Sequence, residues 1–232
     1  APGGEYGALI RSRHIMHLVT SDMLRGGGGK GGAGEEGGGG DGAGDGGEGA
    51  GPCDALLVHA GALPWMLHAV EELSKAAGTK EPPTPQQTVD VLNAAVRAGI
   101  ANCRGMGCPD RAAEGAPLAA ALLGPEGAVW TRAYISLPSQ SVCDKVAAVA
   151  RAMRVSRVVV GHTVMMDGRV SVRCGGQLVM SDVGMSRWMR PAPPYVLAGM
   201  TCSVADGFRV HSQETGQPPQ SPLRVDAAGR RQ

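Results

Sequence analysis

Apolar residues recur along this chain in two rhythms, and the change between them divides it. From 64 to 155 the spacing is three to four. The stretch "PWMLHAVEELSKAAG" sets Trp65, Leu67, Val70 and Leu73 on one side, with Pro64 at its start and Gly78 past its end, which predicts a helix. "TPQQTVDVLNAAVRAGIA", from Thr84, predicts a second, with Val89, Leu92, Ala95, Val96 and Ile100 inward. "SVCDKVAAVARAMRV", 141–155, predicts a third, with Val142, Val146, Val149 and Met153 on one face. After 155 the period becomes two. "RVVVGHT", "RVSVRC", "QLVMSDVGM", "YVLAGMTC" and "FRVHS" read as strands, separated by the turns Asp167-Gly168, Gly175-Gly176 and Asp206-Gly207. Upstream, "ALLV" at 55–58 is a short buried strand ending at His59, and residues 8–24 read as a strand turning into a helix. Residues 101–128 are rich in loop formers, and "AVWTRAYI", 128–135, reads as short and extended.

Between these segments lies a tract that cannot build a core. Residues 25–52 are mostly glycine with a few acidic side chains, so a disordered insertion is expected there. No Gly-Lys-Ser/Thr follows Lys30, which excludes a phosphate-cradling loop of that type. The same tract holds much of the chain's glycine, 37 residues in all, roughly double the usual share. The tail from 213 is rich in Pro, Gln and Arg and is expected to be unstructured. With one Phe, three Tyr and three Trp, core volume must come from Val, Leu, Ala and Met.

Charge adds an exclusion. The net charge is +1, which supports neither nucleic-acid nor acidic-membrane binding. No apolar run approaches the ~20 residues of a membrane-spanning helix, and no signal-peptide pattern opens the chain, which starts without Met as a processed chain or a fragment would. Six cysteines, at 53, 103, 108, 143, 174 and 202, are scattered without paired metal-site spacing. They read as reduced structural thiols in a reducing compartment.

Two strands end in histidine beside glycine: Leu57-Val58-His59-Ala60-Gly61 and Val159-Val160-Gly161-His162-Thr163. A strand-end histidine is either a satisfied core residue or a ligand on a rigid platform. In α/β folds ligands collect at the carboxyl ends of strands, and imidazole suits divalent transition metals. A shared metal site at His59 and His162 is therefore plausible on chemistry alone.

Three stretches sharpen that reading. "LLVHAGALP", "PEGAVWTRAY" and "SRVVVGHTVMMDGRVSVRCGGQLVMSDVGMS" resemble the second half of a calcineurin-like metallophosphoesterase, closest to the Shewanella-like branch of the phosphoprotein phosphatases. That family uses a His-(Gly/Ala)-Gly turn, a Trp-x-Arg segment, a Gly-His-Thr turn and a terminal D-x-G-M-S strand in this order. The likeness covers about residues 53–212, and 157–186 is its most specific part. It implies an α/β fold, a β-sandwich flanked by helices, and hydrolysis of a phosphorylated protein or a small phosphomonoester. It also implies two divalent metal ions (Mn, Fe or Zn) that activate a bridging water. By motif, His59 and His162 would ligate one of the two metals, and Arg132 in "WTR" would face the phosphate, unless it is an ordinary surface or ion-paired arginine.

Three upstream motifs of the family, G-D-x-H-G, G-D-x-x-D-R-G and G-N-H-E, are not present as such. "RSRHIMHLVTSDM" resembles a damaged form of the third. Ungapped, Ser12 stands for the ligand Asn, Arg13 for the acid His and His14 for the Glu. With one residue deleted, His14 takes the catalytic-acid position and Arg13 the Asn. The aspartates that supply the other metal are lacking, so the resemblance implies an incomplete or inactive chain, or a pseudophosphatase that binds without hydrolysis. The expected organisation is an upstream phosphoesterase remnant at 1–24, the glycine tract at 25–52, the C-terminal part of the domain at 53–212, and a disordered tail at 213–232. Cysteine pattern and resemblance together imply an intracellular protein, cytoplasmic or plastid.

Overall fold

The computed structural model describes residues 14–20, 50–102, 116–192, 194–203 and 205–214, with the backbone of 223–225. Its main sheet has five strands in the order β1-β2-β3-β5-β4: β1 Met16–Val19, β2 Ala55–Val58, β3 Arg157–Val160, β5 Leu178–Met180 and β4 Ser171–Arg173. The central three run parallel, and β1 and β4 pair antiparallel at the edges. A second sheet, β6 Val196–Ser203, β7 Gly207–Glu214 and β8 Leu223–Val225, is antiparallel throughout.

Period-two alternation decides what each face of the main sheet touches. Leu18, Leu56, Val58, Val158, Val160, Leu178 and Met180 face the helices α1 (Pro64–Ala76), α2 (Pro85–Asn102) and α5 (Ser139–Ala152). Ala55, Val159, Val172 and Val179 face the other way, onto Phe208 and Val210 of the second sheet. The result is three layers, helices on sheet on sheet. A sandwich was expected, and the helices cover one of its faces. Burying a Leu or Val here contributes roughly 1.5–3 kcal/mol per side chain, and Leu56, Val158, Leu178 and Val179 are fully buried.

The three predicted helices form where their patterns place them, except that Leu73, expected inward on α1, is half exposed and Met66 is buried instead. Pro64 and Pro85 open α1 and α2, where a missing N–H costs nothing. Thr84 and Gln87 form a reciprocal capping box, Gln87 N–H donating to Thr84 Oγ1 (3.3 Å) and Thr84 N–H to Gln87 Oε1 (2.8 Å). Val142, Val146, Val149 and Met153 are all buried, whereas Ala95 and Ile100 of α2 are only partly so.

Several expectations need correction. The loop-rich stretch contains a helix, α3 (Pro117–Leu123). "AVWTRAYI" is not extended: it is a turn followed by the one-turn helix α4 (Ala133–Ser136). The turn is held by Gly127, whose carbonyl accepts from Thr131 N–H (2.9 Å) and Trp130 N–H (3.2 Å). Within the tail expected to be unstructured, β7 runs to Glu214 and Leu223–Val225 pairs with Phe208–Val210. The four cysteines among the described residues are not reduced thiols: Cys53 pairs with Cys202, and Cys143 with Cys174. Cys53–Cys202 joins the two sheets and Cys143–Cys174 joins α5 to the end of β4, so side chains far apart in sequence are neighbours through topology. Cys103, Cys108, the glycine tract to residue 49 and the helix expected after the first strand lie outside the described residues.

Candidate functional site

β2 and β3 pair parallel in register, Val58 against Val160, so both chains leave the sheet at the same level. His59 follows β2 directly, and His162 follows β3 after Gly161. Gly161 N–H donates to the His59 carbonyl (2.9 Å), and His59 N–H donates to the Ile15 carbonyl at the end of β1 (2.9 Å). The two imidazoles meet with centroids 5.1 Å apart and planes tilted by 54°. His162 achieves this from a left-handed backbone, φ 64°, which non-glycine residues rarely adopt.

The turn before α4 closes the other side. Ala60 N–H donates to the Ala128 carbonyl (3.0 Å), fastening the turn to the His59 loop. Trp130 presents its edge to His162 at 5.3 Å, and Arg132 Nη1 donates to Thr163 Oγ1 at 3.3 Å. Tyr134 anchors α4 by donating its hydroxyl to the Ala62 carbonyl, and burial pushes its phenol far above the usual range. Arg132 itself is exposed and has room for a ligand.

The electrostatics favour a neutral His162. Burial, followed by repulsion from His59 and Arg132, holds it below its usual value of 6.5, against the opposing pull of Asp182 and a hydrogen bond to the Trp130 backbone. Its Nε2 is buried without a hydrogen-bond partner. A neutral imidazole keeps one ring nitrogen whose lone pair can ligate or accept a proton, and Nε2 has no competing partner.

His14 is exposed and lines a cleft of about 350 Å³ together with His17, His59, Gly161 and Ser181. All four residues singled out in the sequence, His14, His59, Arg132 and His162, thus sit at one end of the main sheet. Ser12 and Arg13 lie outside the described residues. Sequence reasoning passed over Trp130, Thr163 and Asp182. Trp130 is the first residue of the Trp-x-Arg motif, Thr163 the last of Gly-His-Thr, and Asp182 opens "DVGMS", so the motifs themselves carried the signal.

The implied metal centre needs more donors than this. Among the described residues no group of three or more His, Cys, Asp or Glu side chains could hold a metal ion. Two imidazoles with one free Nε2 suit part of one coordination shell, but a two-metal centre also needs bridging carboxylate, and the donor set does not fit it.

No family model matches the sequence. An uncharacterized protein of Schizosaccharomyces pombe is 35% identical over 60 residues, which make up 26% of this chain and 18% of that protein. A solved structure of a cold-active protein tyrosine phosphatase matches 77% of this chain and 39% of its own, with 16% identity and a TM-score of 0.38. At that score the likeness carries no argument. The chain spans less than two thirds of both proteins, and their activities are theirs.

Proposed function

We propose that this chain belongs with the calcineurin-like metallophosphoesterases and carries the part of the site that receives the phosphoryl group of a phosphorylated protein or small phosphomonoester. The observation that supports it best is the meeting of His59 and His162 at 5.1 Å with Arg132 on Thr163 beside them. A guanidinium that offers its remaining N–H groups to solvent is suited to bidentate contact with phosphate oxygens. Neutral His162 presents a lone pair rather than a second fixed charge, and Trp130 screens one side of its ring from water. His59 and His162 would contribute two imidazoles to a divalent-metal shell, which no third donor among the described residues completes. His14, across the cleft, is the candidate proton donor.

Hydrolysis is tested by Mn²⁺-dependent turnover of p-nitrophenyl phosphate, with His162→Ala as the control. Turnover that is abolished by EDTA and by the substitution supports a hydrolase; turnover indifferent to the substitution overturns the site. A second reading, a pseudophosphatase that binds phosphate groups without cleaving them, is favoured by the lack of a three-donor group among the described residues. It predicts phosphate binding that depends on Arg132, with no turnover at any metal concentration.

A further inference from the structure

Beside the histidine pair lies a larger cavity, about 520 Å³, lined by Leu123, Pro125, Trp130, Ala133 and Leu137 with Glu126, Arg132 and Ser136. It is built on rigid backbone. Pro117 opens α3 on one side, and on the other Arg173 clamps the α4–α5 junction by donating to the Tyr134 carbonyl and to Ser139 Oγ (3.2 Å). Trp130 is the partition: its edge meets His162, yet it stays 55% exposed and lines the cavity. Arg132 belongs to both spaces as well. A phosphoryl group held by Arg132 at the histidine pair would leave the group attached to it at the mouth of an apolar hollow.

We infer that this cavity is a subsite for a large apolar side chain next to the phosphorylated residue of a peptide, with Trp130 standing between the two. This rests on the phosphate-binding reading above and adds a sequence preference to it. Charge decides among occupants. Arg132 sits at the phosphate end, while the Glu126 carboxylate on the same lining repels an acidic neighbour. Leu123, Trp130 and Leu137 reward an apolar one by removing its surface from water. A small phosphomonoester would leave the hollow empty.

The test uses the full chain and fluorescence-anisotropy titration with phosphopeptides that differ only at the residues flanking the phosphorylated one. Leu or Phe at one flank should bind about tenfold tighter than Ala, and Asp should bind more weakly than Ala. Removing the phosphoryl group should abolish most of the affinity. Ser136→Trp, at an exposed lining position, should erase the Leu-over-Ala ratio, and Pro125→Trp does the same if the first variant melts early. Equal affinity for Leu, Ala and Asp peptides overturns the subsite, as does a preference that is untouched by both variants or identical without the phosphoryl group. Competition by inorganic phosphate, lost in Arg132→Ala, reads the phosphate site separately. Competition with no flanking preference rejects the subsite and leaves that reading standing.

Discussion

The indole of Trp130 and the imidazole of His162 stand perpendicular, centroids 5.3 Å apart and planes at 86°. That contact, with the Gly161 turn beneath, takes His162 partly out of water. The burial then depresses its pKa.

A pH dependence of stability follows. The unfolded chain takes up a proton on its histidine near pH 6.5, while folded His162 still refuses one. Over that interval the unfolded state binds more protons, so stability rises with pH and levels off above about 6.5. In EDTA, the urea midpoint of the protein should be lower at about pH 5 than at about pH 7.5. His162→Asn, which cannot titrate, should flatten this difference; an unchanged slope would assign the effect to other groups.

The backbone at His162 makes a separate prediction. Its φ of 64° is strained for an L-residue by roughly 1–2 kcal/mol. His162→Gly should leave stability within about 1 kcal/mol, relief of strain offsetting the freer unfolded chain. His162→Val should cost about 1–3 kcal/mol. Urea denaturation at neutral pH separates the two, and a Val variant as stable as the Gly variant would contradict the strained turn.

Two glycines should respond oppositely to alanine. A Cβ on Gly127 would lie 2.0 Å from the Leu122 carbonyl oxygen, whereas on Gly161 the nearest atom is the His59 oxygen at 3.4 Å. Gly127→Ala should cost about 3 kcal/mol or more and displace Trp130 and Arg132, with loss of phosphate binding. Gly161→Ala should change stability by less than about 1 kcal/mol. Thermal melts and phosphate titration check both.

Asn93 should prove disproportionately important. Buried on α2, it accepts from Ile15 N–H and Met16 N–H (3.1 Å each) and donates to the Met16 carbonyl (2.8 Å). Asn93→Ala strands those edge groups at a cost of about 2 kcal/mol. Hydrogen exchange at Ile15 and Met16 should accelerate beyond that of β3, because the helix no longer clamps β1.

Non-reducing peptide mapping should recover Cys53–Cys202 and Cys143–Cys174. Removing the first, which spans 149 residues, with Cys202→Ser should lower stability by about 2–4 kcal/mol through the freer unfolded chain. A map showing those four thiols free would return the cysteines to the reduced state expected from their spacing.

How much of this was legible depended on whether a signal was local. α1, α2 and α5 announce themselves through apolar spacing, the first two also through the prolines that open them, and β3 through three valines. α3 hides because the six Ala and Leu residues after Pro117 show no period, and α4 because one turn of helix is set by Gly127 rather than by its own residues. Arg157 is the sharper lesson. It reads as the polar start of a strand, yet it is 1% exposed between the sheets, over the Phe208 ring at 4.3 Å and donating to the Pro52 carbonyl (3.0 Å). Asn93 on β1 and the disulfides likewise arise between residues remote in sequence, where no window reveals them. At the candidate site, the motifs singled out His59, His162 and Arg132, but the meeting of the two histidines depends on the register between β2 and β3.

That register has a practical consequence for anyone dissecting the pair. Main-chain pairing through Gly161 and His59 places the two rings like posts driven into the same beam, so replacing one ring does not move the other. A double-mutant cycle between His59 and His162 therefore measures ring-to-ring coupling itself, free of any structural relay. If a shared ion or phosphoryl group joins the posts, the coupling should emerge when that ligand is added and vanish when it is withdrawn.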